Sequence, residues 1–177
     1  LTSISPLPEA TCSQFNVSPN HQYISYVEKK DGQFIIWLHQ IKYNKKIMLF
    51  EGGTRSVQEL KDPDYPLTAW NNDGKKIAVL FVKQNKTFIK IFDVGSSRSV
   101  LKKIARNKID RITGMCFWND DNTLAVTAIK KGISDLYKLS IKNTRFENIT
   151  NDAFDDKNPR TIRNKKFSGI LFSSNRT

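Results

Sequence analysis

The 177-residue chain is poor in the residues that carry most enzyme and metal chemistry. It has two histidines, His21 and His39, and two cysteines, Cys12 and Cys116, which form no Cys-x-x-Cys pair. No histidine lies near either cysteine, so a zinc site has no ligand set at the required spacing. A G-x-S-x-G elbow, a P-loop and a G-x-G-x-x-G turn are all missing. No catalytic, cofactor-binding or metal-binding residues are therefore expected. His21 falls in a turn and His39 on a strand beside Leu38, where a satisfied strand histidine is the plain reading. The cysteines read as two buried free thiols rather than a disulfide. Long apolar runs are missing too: the longest, Ile77 to Val82, is far below the ~18 residues of a membrane-spanning helix. Eight glycines and six prolines exclude a collagenous or linker-like chain. The chain begins at Leu1 without a charged segment followed by an apolar one, which points to a processed mature end or a piece of something longer.

What is present is charge of one sign. Lysine and arginine number 29 against 17 acidic residues, a net +12, in a chain with 38% hydrophobic and 26% charged residues. That composition is ordinary for a folded domain, and the charge suits nucleic acid, anionic lipid or an acidic protein. The basic residues are dispersed (Lys29-Lys30, Lys42 to Lys46, Lys75-Lys76, Lys102 to Arg111, Lys157 to Lys166), mostly in or beside turns. Solvated loop charge is the plain reading. If one segment makes a partner-binding face, the candidates are Lys102, Lys103, Arg106, Lys108 and Arg111. Nucleic-acid binding needs basic residues interleaved with exposed aromatics, whereas the aromatics here alternate within strands as core residues do.

A pattern recurs along the chain. "FNVSPNHQYISYVEKKDGQFIIWLHQI" (residues 15–41), "AWNNDGKKIAVLFVKQNKTFIKIFDV" (69–94) and "CFWNDDNTLAVTAIKKGISDLYKLSI" (116–141) share one order of parts. An aromatic or apolar residue (Val17, Trp70, Trp118) leads into a polar turn, then a β-rich strand starting at Ile24, Ile77 or Leu124. A Lys-rich turn and a second alternating strand follow. The fourth unit starts at "NKKFSGILFSSNR", with Ile170 in the place of Ile77. These four positions are 53, 47 and 46 residues apart. Asn, Asp and Gly at the turns supply the Asx and left-handed conformations of tight hairpins. Period-two alternation of β-branched and aromatic residues marks the strands. A shorter strand closes each unit, at Ile47 to Phe50, Val100 to Ile104 and Glu147 to Thr150. Val100 to Ile112 comes closest to helical periodicity. Four strands per ~45 residues is the period of β-propeller blades.

"WNNDGKKIAVL" resembles the turn-and-strand signature of the TolB-like β-propeller repeat, a WD40-like repeat. "ITNDAFDDKNPRTIRNKKFSGILFSSNR", Ile149 to Arg176, is similar to the inter-blade pattern of the same repeats. The resemblance covers roughly residues 14 to 177. The sequence departs from the pattern at Asn20-His21, which replace Asp-Gly, in the third turn, which reads one residue short at Asn122, and at Asn164-Lys165-Lys166. The expected fold is all-β: a β-propeller of four-stranded antiparallel blades, about three full blades plus the start of a fourth. The expected bounds are an N-terminal extension at 1–13 and blades at 14–66, 67–112, 113–159 and 160–177. Terminal blades expose faces and strand edges. The segment is thus expected to belong to a larger propeller, completed by further blades of the same chain or by another protein.

The resemblance implies the bacterial envelope, usually the periplasm, and a non-catalytic scaffold for other envelope proteins in a transport or secretion assembly. One alternative is the propeller of a prolyl-oligopeptidase-type serine peptidase whose hydrolase domain lies outside this chain. The other is a cationic nucleic-acid-binding β domain. Asp120-Asp121 and Asp152, Asp155 and Asp156 are rich in oxygen ligands, but no D-x-D-x-D-G loop is present and turn chemistry explains them. Asn16, Asn85, Asn148 and Asn175 head Asn-x-Ser/Thr triplets, read as chance.

Overall fold

A computed structural model describes residues 11–30, 33–53, 66–84, 86–96, 98–104, 109–163 and 166–176. All regular structure there is antiparallel β apart from one 3-10 turn, Ile41–Tyr43. Two compact units divide the chain, Leu1–Pro63 and Asp64–Thr177.

The first unit holds one meander of β1 (Thr11–Val17), β2 (Tyr23–Lys30), β3 (Gln33–Gln40) and β4 (Lys45–Gly53), hydrogen-bonded in that order. Strict alternation in β3 buries Phe34, Ile36 and Leu38 on one face. Trp37 lies on the other, where Lys46 Nζ stands 3.8 Å from its ring centroid and the indole N–H donates to Glu28 Oε2 at 2.5 Å. Phe15 stacks on Tyr26 beside them, with ring centroids 5.5 Å apart.

The second unit repeats the meander. Its first sheet is β5 (Leu67–Trp70), β6 (Lys76–Lys83), β7 (Lys86–Asp93) and β8 (Ser99–Ile104). The next is β9 (Arg111–Phe117), β10 (Thr123–Lys130), β11 (Ile133–Ser140) and β12 (Phe146–Asn148), followed by the hairpin β13 (Asp156–Arg163) and β14 (Ser168–Ser174). Strands β5, β9 and β13 lie side by side along one margin. Leu80 and Ile89 of one sheet meet Phe117, Leu124, Val126 and Leu139 of the next in the main core. The opposite face of that second sheet carries Cys116, Ala125 and Leu136 against Ile170 and Phe172. β10 is therefore covered on both faces, and Thr123 to Ala128 are all buried, which is why its sequence loses the polar alternation of a half-solvated strand. Burying such side chains is the main favourable term, roughly 1.5–3 kcal/mol for each large one.

Glycine at 114 lets β13 approach. A Cβ there would stand 2.8 Å from Pro159 Cδ and 2.9 Å from Thr127 Oγ1, closer than real contacts allow. Between Ile112 and Gly114 the ladder slips by one residue, a bulge at Thr113.

The ladders correct one equivalence drawn from sequence. Trp118 looks like the counterpart of Trp70 and Val17, yet Phe117 is. Val17 pairs with Ile24, Trp70 with Ile77 and Phe117 with Leu124, each as the last residue of its strand. The three turns are closed by the same bond: Ser18 N–H to Tyr23 O, Asn71 N–H to Lys76 O and Trp118 N–H to Thr123 O, at 2.8, 3.0 and 2.8 Å. The third turn is thus not a residue short. Aromatic matching misplaced it, because backbone hydrogen bonds count residues and do not see side chains. His21 takes the left-handed place of Gly74, with φ of 57° against 69°. The turn keeps its shape without glycine, at some steric cost.

Candidate interaction surface

Asn71 Nδ2 donates to Asp121 Oδ1 at 2.9 Å, Asn72 Nδ2 to the Trp118 carbonyl at 3.0 Å and Lys76 Nζ to Asp121 Oδ2 at 3.1 Å. These bonds tie the β5–β6 turn to the β9–β10 turn. Partial burial works to raise the Asp121 pKa, but the Asn71 bond and the Lys76 ammonium outweigh it and hold the carboxyl below its usual range. With these turns together at one end, the β6–β7 and β10–β11 hairpins share the other.

That other end also receives β13. Ser134 Oγ donates to the Asp156 carbonyl at 2.8 Å, and the Ser134 N–H to Asp155 Oδ1 at 3.1 Å. Farther along the same seam the Thr161 hydroxyl donates to the Phe117 carbonyl. Asp135 is buried in β11 and organises the crossing segment. It accepts from Asn148 Nδ2 at 2.8 Å and from the Thr150 hydroxyl and Asp152 N–H at 3.4 Å each. Arg176 then closes the joint. Its guanidinium donates to Asp156 Oδ1 at 3.1 Å and to Asp152, and lies between the rings of Phe154 and Phe172. The Arg176 bond, then the Phe154 N–H, hold the Asp152 carboxyl below its usual range.

Of the carboxylates noted in the sequence, Asp121, Asp152, Asp155 and Asp156 lie at joints, whereas Asp120 closes its own turn. Asp120 accepts from Asn122 N–H at 2.8 Å, and Asp155 pairs loosely with Lys157 at 3.9 Å. Three of the Asn-x-Ser/Thr asparagines are engaged as well: Asn16, whose Nδ2 donates to the Gln14 carbonyl at 3.0 Å, Asn148 with Asp135, and Asn175, whose Oδ1 accepts from Asp155 N–H at 2.7 Å. Both cysteines are free thiols, Cys116 buried and Cys12 half-buried. A shallow cleft of about 260 Å³ opens between the β10–β11 tip and β13, lined by Thr113, Ile129, Ser134, Asp155, Lys157 and Asn158.

The basic segment suggested by sequence is spread out. Lys102 (half-buried) and Lys103 (exposed) point to opposite faces of β8, facing Ile89 and Phe88 across the ladder. Arg111, half-buried, opens β9 opposite Ile129. Arg106 and Lys108 lie outside the described residues. The Asp135 and Arg176 joint was not identified from sequence. Its signals there are the inter-blade resemblance of Ile149 to Arg176, which holds Asp152, Asp156 and Arg176, and a carboxylate set among the strand residues of "ISDLYKL". Among the described residues no helix is long and apolar enough to cross a membrane.

No family model matches the chain, and no curated protein matches it. Solved structures do match in fold. TolB from Acinetobacter baumannii superposes with a TM-score of 0.65 at 11% identity, over 92% of this chain and 41% of that one. The β-propeller domain of the Trilobed protease from Pyrococcus furiosus gives 0.58 at 16% identity, over 93% of this chain and 54% of that one. For Pyrococcus horikoshii acylaminoacyl peptidase the values are 0.57 and 13%, over 93% of this chain and 31% of that one. The chain has a TolB-like β-propeller fold, and it spans about half or less of the length of these structures. At such identities the likeness concerns fold.

Proposed function

We propose that the chain is a non-catalytic propeller segment that serves as a docking scaffold for other proteins of a bacterial envelope assembly, working in transport or secretion from the periplasm. One observation carries this reading. The polar groups of the types that serve chemistry (Asp121, Asp135, Asp152, Asp156, Arg176) are bonded to one another and to neighbouring strands. They hold sheets in place and leave the loops at the sheet ends to provide recognition. Lys102, Lys103 and Arg111, with Arg106 and Lys108, contribute positive charge that steers acidic partners and speeds encounter more than it adds affinity. Further blades of the same protein, or a partner, cover the strand edge that β14 presents.

A second reading, the regulatory propeller of a serine peptidase, is supported by the likeness to two peptidase propellers. One experiment separates the two. The natural protein, tagged at its locus, is fractionated and treated with a fluorophosphonate probe, and its purified complexes are rebuilt from isolated components. Residence in the periplasm, no probe labelling and a rebuilt complex with an envelope protein support the scaffold. Labelling of a serine in the same polypeptide would replace it with the peptidase reading.

A further inference from the structure

The hairpin tips at the β13-receiving end of the second unit carry Lys83 and Lys86 in one sheet and Lys130 and Lys131 in the next, all exposed. Among the described residues none of the four forms an ion pair. Three carboxylates lie nearby, and none pairs with these four ammonium groups. Asp110 accepts the Lys131 backbone N–H at 2.8 Å, Asp155 pairs with Lys157, and Asp152 with Arg176. At the opposite end Lys75 and Lys76 are paired, with Asp73 and Asp121. Two large apolar side chains are exposed at this end: Ile133 at the β10–β11 tip and Phe154 in the crossing segment, each 39% exposed, the latter with Arg176 over its ring.

We propose that this end of the second unit is a contact surface for a bilayer of anionic phospholipid, with Lys83, Lys86, Lys130 and Lys131 on the headgroups and Ile133 and Phe154 entering the interface. This goes beyond the scaffold reading and does not depend on it. The two tips lie at the same end of adjacent sheets, so an extended surface can touch both at once. Lysines on flexible stems beside apolar side chains match a layer in which anionic headgroups cover hydrocarbon. An acidic peptide fits less well. The cleft beside the tips has its hydroxyls engaged, Thr113 with Thr127 at 3.1 Å and Ser134 with the Asp156 carbonyl. Single-stranded nucleic acid is held on a row of stacking aromatics, and among the described residues Phe154 stands alone at these tips.

The test is co-sedimentation of the full chain with vesicles of phosphatidylglycerol and phosphatidylcholine in equal parts, against phosphatidylcholine alone. Binding is expected only to the anionic vesicles and to weaken with salt. Each lysine near the surface contributes about fivefold, so the double variant Lys130→Ala/Lys131→Ala is expected to bind about 25-fold more weakly. Lys142→Ala/Arg145→Ala, with the same charge change at the opposite end, is expected to stay within about twofold of the parent, since screening confines the effect to charges near the lipid. Phe154→Trp is expected to add fluorescence quenching by brominated phosphatidylglycerol. Equal losses in the two double variants would overturn the proposal, as would no added quenching, or equal binding to phosphatidylcholine. So would binding to polyglutamate or duplex DNA as tight as to the anionic vesicles. The scaffold reading is judged separately, by its rebuilt protein complex.

Discussion

Replacing Phe117 by alanine tests the register of the third meander. Phe117 is fully buried at the end of β9, opposite Leu124, in the core shared by the two sheets. Losing the ring forfeits about 2–3 kcal/mol of transfer free energy. A close-packed site cannot collapse onto the space left behind, so the total cost is about 3–5 kcal/mol. For a unit of this size that corresponds to a fall of about 15 °C in Tm. Trp118, one residue on, is half-buried at the seam with β14 and lies near Lys138, 5.7 Å from its ring centroid. Trp118→Ala is expected to cost about half as much, because part of its surface is already wet. Val100→Ala, at a position 51% exposed on β8, is expected to stay within about 0.5 kcal/mol. Urea unfolding read by hydrogen exchange in peptides covering β9 to β11 reports the second unit by itself. If Trp118→Ala cost more than Phe117→Ala, then Trp118 would be the core residue ending β9, and the assigned ladder would be wrong.

Gly114→Ala is expected to destabilise the seam with β13 by about 1–3 kcal/mol, since backbone or Pro159 must shift to admit the methyl group; faster exchange in β13 and β14 than in β6 and β7 checks it. For Asp121, a carboxyl held below its usual range contributes stability that is complete above the unfolded-state pKa and disappears as pH falls through the folded one. Between pH 5 and 2 the Asp121→Asn variant is therefore expected to lose less stability than the parent, and equal slopes in parallel urea titrations would remove Asp121 from the acid response. Burial pushes the Cys116 thiol up, against the Thr161 bond and the Arg160 charge, while Cys12 is half-buried and also raised, chiefly by burial. Iodoacetamide is expected to label Cys12 well before Cys116, with denaturant abolishing the difference; equal native rates, read by peptide mass, would contradict the burial of Cys116.

Strands and turns were legible because their causes are local. The alternation of Phe88 to Asp93, and the Asx turns at Asp73 and Asp120, act through backbone and nearest neighbours. The same chemistry recurring at a period of about 45 residues made a propeller the economical reading. One feature misled it, a tryptophan one place beyond the strand end, and one was invisible to it: basic residues that are neighbours in the chain diverge in the sheet. Lys102 and Lys103 point to opposite faces because a strand alternates with every residue.

What the amino-acid sequence determined by itself was the meander: strand, tight turn, strand, four times over. Tertiary structure decided how the meanders join. Arg176 meets Asp152 and Asp156 across a separation of 20 or more residues, Asp121 receives Asn71 from the preceding sheet, and Gly114 makes room for Pro159. It also decided which lysines share one end of the fold. Hairpin tips at Lys83 and Lys130 are 47 residues apart in sequence, and only the stacking of one sheet on the next brings them to the same side. The physical reason is range: turn and strand preferences are set within a few residues, whereas joints and surfaces depend on contacts that exist only once the sheets have packed.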